Sequence, residues 1–229
     1  MAQRVESPRR TPLSKDRVLG AAVKLADETG IDSLSMRRLA DALDVVPMAL
    51  YKHFANKDQL LDGMIDVVIA EIDPPLAGVG WKAAIRARIL SARKALKRHA
   101  WASRVLETRS NASPIVLDYT NSMIGIFVEG GFSVDLTHHV MHAMGSRLMG
   151  FSQELFDDSA TMDPAMRDAM VQQLQGRYPY IAEVVKTVYH DAGSVVGAGC
   201  DDQFEFEFAL DLLLDGLESL REKGWTSRS

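Results

Sequence analysis

Five helix-starting or helix-stopping residues, Ser14, Gly30, Ser35, Pro47 and Asn56, fall between positions 14 and 56, so this part of the chain has room only for short helices. From the Ser14 cap, SKDRVLGAAVKLADETG sets Val18, Ala22, Leu25 and Ala26 on one stripe and stops at Gly30. Ile31 is placed to pack back onto that helix end, and Ser35 caps a second short helix, MRRLADAL, whose buried edge is Leu39 and Leu43. Asp44 and Val45 make a turn. Pro47 suits a first helical turn, because the N–H it lacks has no internal partner there. The spacing predicts a third helix from Val46 or Pro47 to Phe54, with Leu50 and Phe54 on its packing face and Met48, Tyr51 and Lys52 turned away. Asn56 caps a fourth helix, with Asp58 in its first turn and Gln59 at the capping-box position, running to about residue 72.

Two short helices joined by a tight turn have the spacing of a helix-turn-helix, whose second helix enters the DNA major groove. On that reading Met48, Ala49, Tyr51 and Lys52 offer methyl contacts and hydrogen bonds to base edges, Arg37 reaches a base, and Lys57 meets phosphate. Pro47 and His53 complete the candidate reading segment. Charge agrees with this end of the chain meeting a polyanion. Residues 1–58 hold 10 Lys or Arg against 8 Asp or Glu, whereas residues 59–229 hold 16 against 23, for a net −5 overall. Arg4, Arg9, Arg10, Lys15 and Arg17 precede or open the first helix, either as an arm along phosphates or as a solvated tail.

Composition narrows the remaining classes. At 229 residues and 47% hydrophobic, the chain suffices for one large or two modest cores. Its apolar runs are far shorter than the roughly 20 residues needed to span a bilayer, and the polar N-terminus is no secretory signal, so a cytoplasmic protein is expected. Cys200, the single cysteine, excludes an internal disulfide framework and a cysteine-rich zinc site. No cofactor is expected.

Beyond the Pro/Gly-rich break DPPLAG at 73–78, helical periodicity predicts helices near 81–98, 101–109, 113–129, 133–156, 163–175, 178–191 and 202–223. FEFEF at 204–208 alternates like a strand but runs straight into ALDLLLDGLESLREK, and is read as a helix start. That last helix carries Phe206, Leu210, Leu213, Leu217 and Leu220 on one stripe and Phe204, Phe208 and Leu212 on another. A stripe this wide suits either a helix buried centrally in its own domain or, the favoured reading, one that faces a twofold partner as well as a core. Trp101, Met123, Phe127, Met141, Met144 and Phe151 are apolar candidates to line a ligand cavity, with Arg104, His142 and Arg147 as polar anchors; each also suits plain core or surface. His138 and His142, four apart, have a spacing that can bind a metal. No third ligand follows at a telling distance, and Met141 and Met144 favour an apolar cavity or interface.

Residues 14–64, with SLSMRRLADALDV and PMALYKHFANKDQLLDGM, resemble the N-terminal domain of tetracycline-repressor (TetR) family regulators. More weakly, GGFSVDLTHHVMHAMGSRLMGF resembles the ligand-binding domain of the tetracycline-repressor branch. The resemblance implies an all-α protein: a flexible basic arm at 1–13, a three-helix helix-turn-helix DNA-binding domain at 14–60, and a larger helical effector-binding and dimerisation domain at 61–229. It implies a homodimer that binds operator DNA and is released by a small molecule. Upstream of the family-like Thr108 and Arg109, tetracycline-binding members carry a metal-ligating histidine where this chain has Val105. Valine cannot hold a metal, so the resemblance does not carry a magnesium–tetracycline effector with it, although Glu154 aligns with an acidic metal-shell position. An α-helical enzyme using the acids and histidines of 135–158 lacks a nucleophile elbow, phosphate loop or metal signature. A helical protein-binding adaptor would leave the basic arm and Arg37 without a use.

Overall fold

The computed structural model describes residues 12–109, 112–150, 164–188 and 202–228, and among these every regular element is helical. The first four helices are α1 (Lys15–Thr29), α2 (Met36–Ala42), α3 (Pro47–Leu50) and α4 (Lys57–Ala70), with a 3-10 turn at Ile31–Ser33 after α1. Side chains the sequence marks as caps do cap. Ser14 Oγ accepts from Arg17 N, Ser35 Oγ from Arg38 N, and Asn56 Oδ1 from Gln59 N, the last at 2.9 Å. Gln59 reaches back in turn to the N–H of Ala55, one residue ahead of the cap. Gly30 ends α1 at φ 79°, a value that favours glycine.

The third helix is shorter than its periodicity predicts. Regular α-helix ends at Leu50, after which His53 N and Phe54 N both bond to the Leu50 carbonyl, so Tyr51–His53 close as a tight turn. Asn56 must already be extended to cap α4, which leaves no residues for further turns of α3.

Further along come α5 (Trp81–Arg98), α6 (Trp101–Glu107) and α7 (Pro114–Glu129). These, with α1–α4, form one compact unit ending at Gly130. Its principal core joins Val18, Ala22, Leu39, Leu50, Phe54, Leu60, Met64 and Val68 to Ala95, Trp101, Ala102 and Val105, so the short N-terminal helices and α6 share a single apolar interior. Gly130, closing α7, sits where a Cβ would lie 2.6 Å from Trp81 Cβ.

A second unit, residues 131–229, contains α8 (Val134–Gly150), α9 (Pro164–Gln175), α10 (Pro179–Val188) and α11 (Asp202–Glu222). α9 and α10 pack as a hairpin. FEFEF is helical, as expected. The first stripe of α11 is shifted from its expected members: Phe206, Leu210, Leu214 and Leu217 are buried and Leu213 and Leu220 only half-buried, whereas Phe204, Phe208 and Leu212 are exposed at 47%, 54% and 58%. At about 100° per residue the buried side chains centre near Leu210 and Leu217, which brings Leu214 inside the buried face and leaves Leu213 and Leu220 at its edge. No helix among the described residues is long and apolar enough to cross a membrane.

Candidate functional site

α2 and α3 meet through a turn in which Asp44 adopts φ 53°, a left-handed conformation that aspartate tolerates better than most side chains. Leu39, Ala40, Leu50 and Phe54 hold the pair to α1 and α4 from beneath. On the outer side Val46 and Met48 are 68% and 70% exposed, Tyr51 is 44% exposed, and Pro47 and Lys52 are exposed as well. Arg37 is exposed on α2, while Ala49 and His53 are half-buried. The result is a small convex face of methyl, thioether, phenol and ammonium groups, which suits hydrogen bonding and methyl contact in a groove. Lys57 behaves differently. Its ammonium donates to the Leu34 carbonyl at 2.7 Å, which anchors the start of α4 and leaves two of its three protons for other acceptors.

The apolar and polar residues expected to line a ligand cavity are divided between the two units, Trp101, Arg104, Met123 and Phe127 in the first and Met141, His142 and Met144 in the second. Trp101 packs in the core and donates from Nε1 to Asp27 at 2.7 Å, and Arg104 pairs with Asp32 at 2.9 Å, so both are engaged with α1 and the turn after it. Met123 and Phe127 are buried on α7, the latter against Trp81 with ring centroids 5.8 Å apart. In the second unit Met144 is buried, Met141 half-buried and His142 exposed. The Arg147 side chain, Phe151 and Glu154 lie outside the described residues. His138 and His142 stack edge to face at 4.6 Å, and among the described residues no cluster of three or more His, Cys, Asp or Glu side chains is placed to hold a metal ion.

A different group of residues surrounds an open cleft of about 180 Å³ in the first unit. Asp62, Ile65 and Asp66 of α4, Leu106 of α6, Val116 of α7 and the connecting Arg109, Ala112 and Ser113 line it. Arg109 donates to Asp62 at 3.1 Å and to Asp58 at 3.2 Å. Burial by itself lowers the affinity of that guanidinium for its proton, but hydrogen bonds and charge from Asp62 and Asp58 outweigh it and hold the pKa above its ordinary value. Ser113 donates to Asp66. Sequence reading places Asp58 only as a first-turn acid and passes over Asp62 and Asp66, yet the three stand four apart on the flank of a helix whose other face is apolar, which is the available signal. His99, only 3% exposed, places Nδ1 2.9 Å from Asp27 of α1 and Nε2 3.3 Å from Glu71 at the end of α4. The helices beneath the convex face are thereby fastened to the α5–α6 junction.

Comparison with known proteins agrees with this arrangement. Residues 18–64 match the model for bacterial regulatory proteins of the tetR family, and residues 74–221 match that for the tetracyclin repressor-like C-terminal domain. The chain is 31% identical over 223 residues to the HTH-type transcriptional repressor DrrR1 of Streptomyces coeruleorubidus, covering 91% of this chain and 78% of the relative. In fold it is similar to the TetR family protein ActR of Streptomyces coelicolor in complex with actinorhodin, with TM-score 0.69 and 23% identity over 91% of this chain and 98% of the other. It is also similar to BioQ bound to its double-stranded DNA operator, with TM-score 0.62 and 25% identity over 91% of this chain and 99% of the other. The chain belongs to the TetR family of bacterial transcriptional regulators.

Proposed function

We propose that the chain is a homodimeric repressor that holds operator DNA through α2 and α3 and releases it when a small molecule binds in the larger helical region. The exposed face of α3 carries this reading. A four-residue helix whose Leu50 is fully buried, while its neighbours Met48, Tyr51 and Lys52 stand in solvent, is built to present those side chains. Arg37 extends the same surface, and the remaining protons of Lys57 suit a phosphate. BioQ in complex with its DNA operator and DrrR1, a transcriptional repressor, support DNA binding and repression by likeness. ActR in complex with actinorhodin supports a small-molecule effector in the same way.

Release follows from the ties on α4. A ligand entering the cleft over Ile65, Leu106 and Val116 competes with the Arg109 contacts to Asp58 and Asp62, and α4 shares Leu60 and Met64 with the core under α3. Any displacement of α4 therefore reaches the reading face. Moving the population from 1:99 to 99:1 requires the effector to favour the released state about 10⁴-fold. Phe204, Phe208 and Leu212, one exposed stripe on α11, support a twofold partner, and two reading heads need half-sites about 34–36 Å apart or a multiple of that.

Selection from a random duplex library at physiological salt tests the reading. A twofold-symmetric sequence with half-sites about one helical turn apart is the expected product; recovery of no enriched sequence overturns it. A reporter carrying that sequence over its promoter separates repression from activation.

A further inference from the structure

Arg88, in the middle of α5, is 7% exposed, and no carboxylate faces it among the described residues. Its guanidinium donates to the main-chain carbonyl of Asp73 and to Ser122 Oγ at 3.0 Å, and lies 4.7 Å from the centre of the Tyr119 ring. Asp73 directs its carboxylate to Ser91 instead, at 2.8 Å. The Arg88 Nε–H is buried without an acceptor. Elsewhere the pattern is reversed: Arg98, Arg104, Arg109 and Arg221 all meet carboxylates, and all are more exposed than Arg88. A desolvated cation facing only neutral acceptors and a ring is costly, and an unmet donor adds to the cost, unless an anion completes the site.

The free positions have a defined shape. The Nε–H and Nη2 share one side of the guanidinium, the side-on fork that takes a carboxylate through two parallel hydrogen bonds; Ser122 accepts one of the two Nη2 protons, and the Nε–H has no acceptor. Tyr119 flanks the fork with an aromatic face, and its hydroxyl is held above the ordinary tyrosine pKa by burial, against an opposing pull from Arg88. It therefore remains a neutral donor at physiological pH. Val116, one turn back along α7, lines the cleft described above.

We propose that Arg88, with Tyr119 beside it, is an anion subsite for the effector, and that the effector is an aromatic acid whose carboxylate or phenolate completes the side-on fork. This rests on the effector-binding reading above and narrows it to a chemical class: neutral and cationic aromatics of similar size lack the group that Arg88 takes.

The probe is sodium 2-naphthoate, with neutral 2-naphthamide as its isostere, added to the full-length protein in thermal melts. Naphthoate is expected to raise Tm saturably, by about 3–6 °C at a tenfold excess over its Kd, and naphthamide by less than about 1 °C. Arg88→Met removes the buried charge, so its own Tm equals or exceeds that of the wild type while the naphthoate shift disappears. Arg88→Lys keeps charge without the fork and retains a minor part of the shift. Absence of a saturable naphthoate shift in the wild type, an equal shift with naphthamide, or a full shift in Arg88→Met overturns the proposal. Should Arg88→Met fail to fold, a full shift in Arg88→Lys overturns it in the same way. Operator binding without probe is read in parallel and is expected to be unchanged in Arg88→Met. A wild type that binds no duplex sinks the repressor reading, whereas normal operator binding with no naphthoate response sinks the anion subsite alone.

Discussion

Tyr51 and Lys52 follow directly on Leu50, and the three side chains divide the work of α3 between them. Leu50 is fully buried, so Leu50→Ala leaves a cavity and is expected to destabilise the fold by about 2–5 kcal/mol in denaturant unfolding. Tyr51→Ala and Lys52→Ala touch no core and are expected to leave the unfolding midpoint unchanged while weakening operator binding by about 1–3 kcal/mol each. Gel shifts at fixed salt check this, and normal binding by both variants refutes the assignment of the reading face. Asp135, at the start of α8, supports a second residue-scale expectation. The backbone N–H and hydroxyl of Ser227 hold its carboxyl below the usual aspartate range, with a smaller contribution from His139. Because its folded pKa lies below its unfolded one, the docking of the C-terminal segment is fully supported above about pH 4 and lost as pH falls through the folded value. Trp225, 5.4 Å from His139, is expected to change its fluorescence in that acid window, and in Asp135→Asn already at neutral pH.

At the scale of elements, α11 carries the clearest test. Phe208→Glu places a charge on the exposed stripe, so the protein should remain folded by circular dichroism and turn from dimer to monomer in light scattering at micromolar concentration. A wild type that is already monomeric there, yet binds operator tightly, refutes the dimer. Leu213 and Leu217, which the periodicity groups together, are poor probes of this interface because Leu217 is buried within its own unit. The contrast shows what a sequence can convey. Caps at Ser14, Ser35 and Asn56 act within three residues, and the helices from α1 to α7 stand close to where those signals place them. The length of α3 escapes the periodicity because one regular stretch, Val46–Phe54, has to be shared with the extended approach to the Asn56 cap. The exposed face of α3 is legible because its outward residues follow from the burial of Leu50 and Phe54. The links from Lys57 to Leu34, from Trp101 and His99 to Asp27, and from Arg88 to Ser122 join positions far apart in the chain, and no local pattern announces them. By local pattern alone Trp101 suits a cavity wall, whereas its partners place it in the core.

For the whole molecule, residues 1–58 hold 10 Lys or Arg against 8 Asp or Glu, while residues 59–229 hold 16 against 23, for net −5. Removing residues 1–12 deletes Arg4, Arg9 and Arg10 and is expected to lower operator affinity and flatten its dependence on salt, by about 0.9 in the log–log slope for each phosphate no longer neutralised. An unchanged slope assigns the arm no role on DNA. The common interior of the first unit bears on how such regulators can be recombined. Two family models abut in this chain, one ending at residue 64 and the other beginning at 74, and that interval looks like a natural place to cut and join. The packing has no seam there. Met64, Ile65 and Val68 lie in the same interior as Ala95, Trp101, Ala102 and Val105, and Asp27 is held by His99 and Trp101 from beyond the cut. A hybrid that takes its reading head from one relative and everything after residue 70 from another inherits two half-interiors that never fitted each other. It is expected to melt several degrees below either parent and to recover only when the 95–105 segment travels with the head, so the heritable module for swapping operator preference runs past α6 rather than stopping at α4.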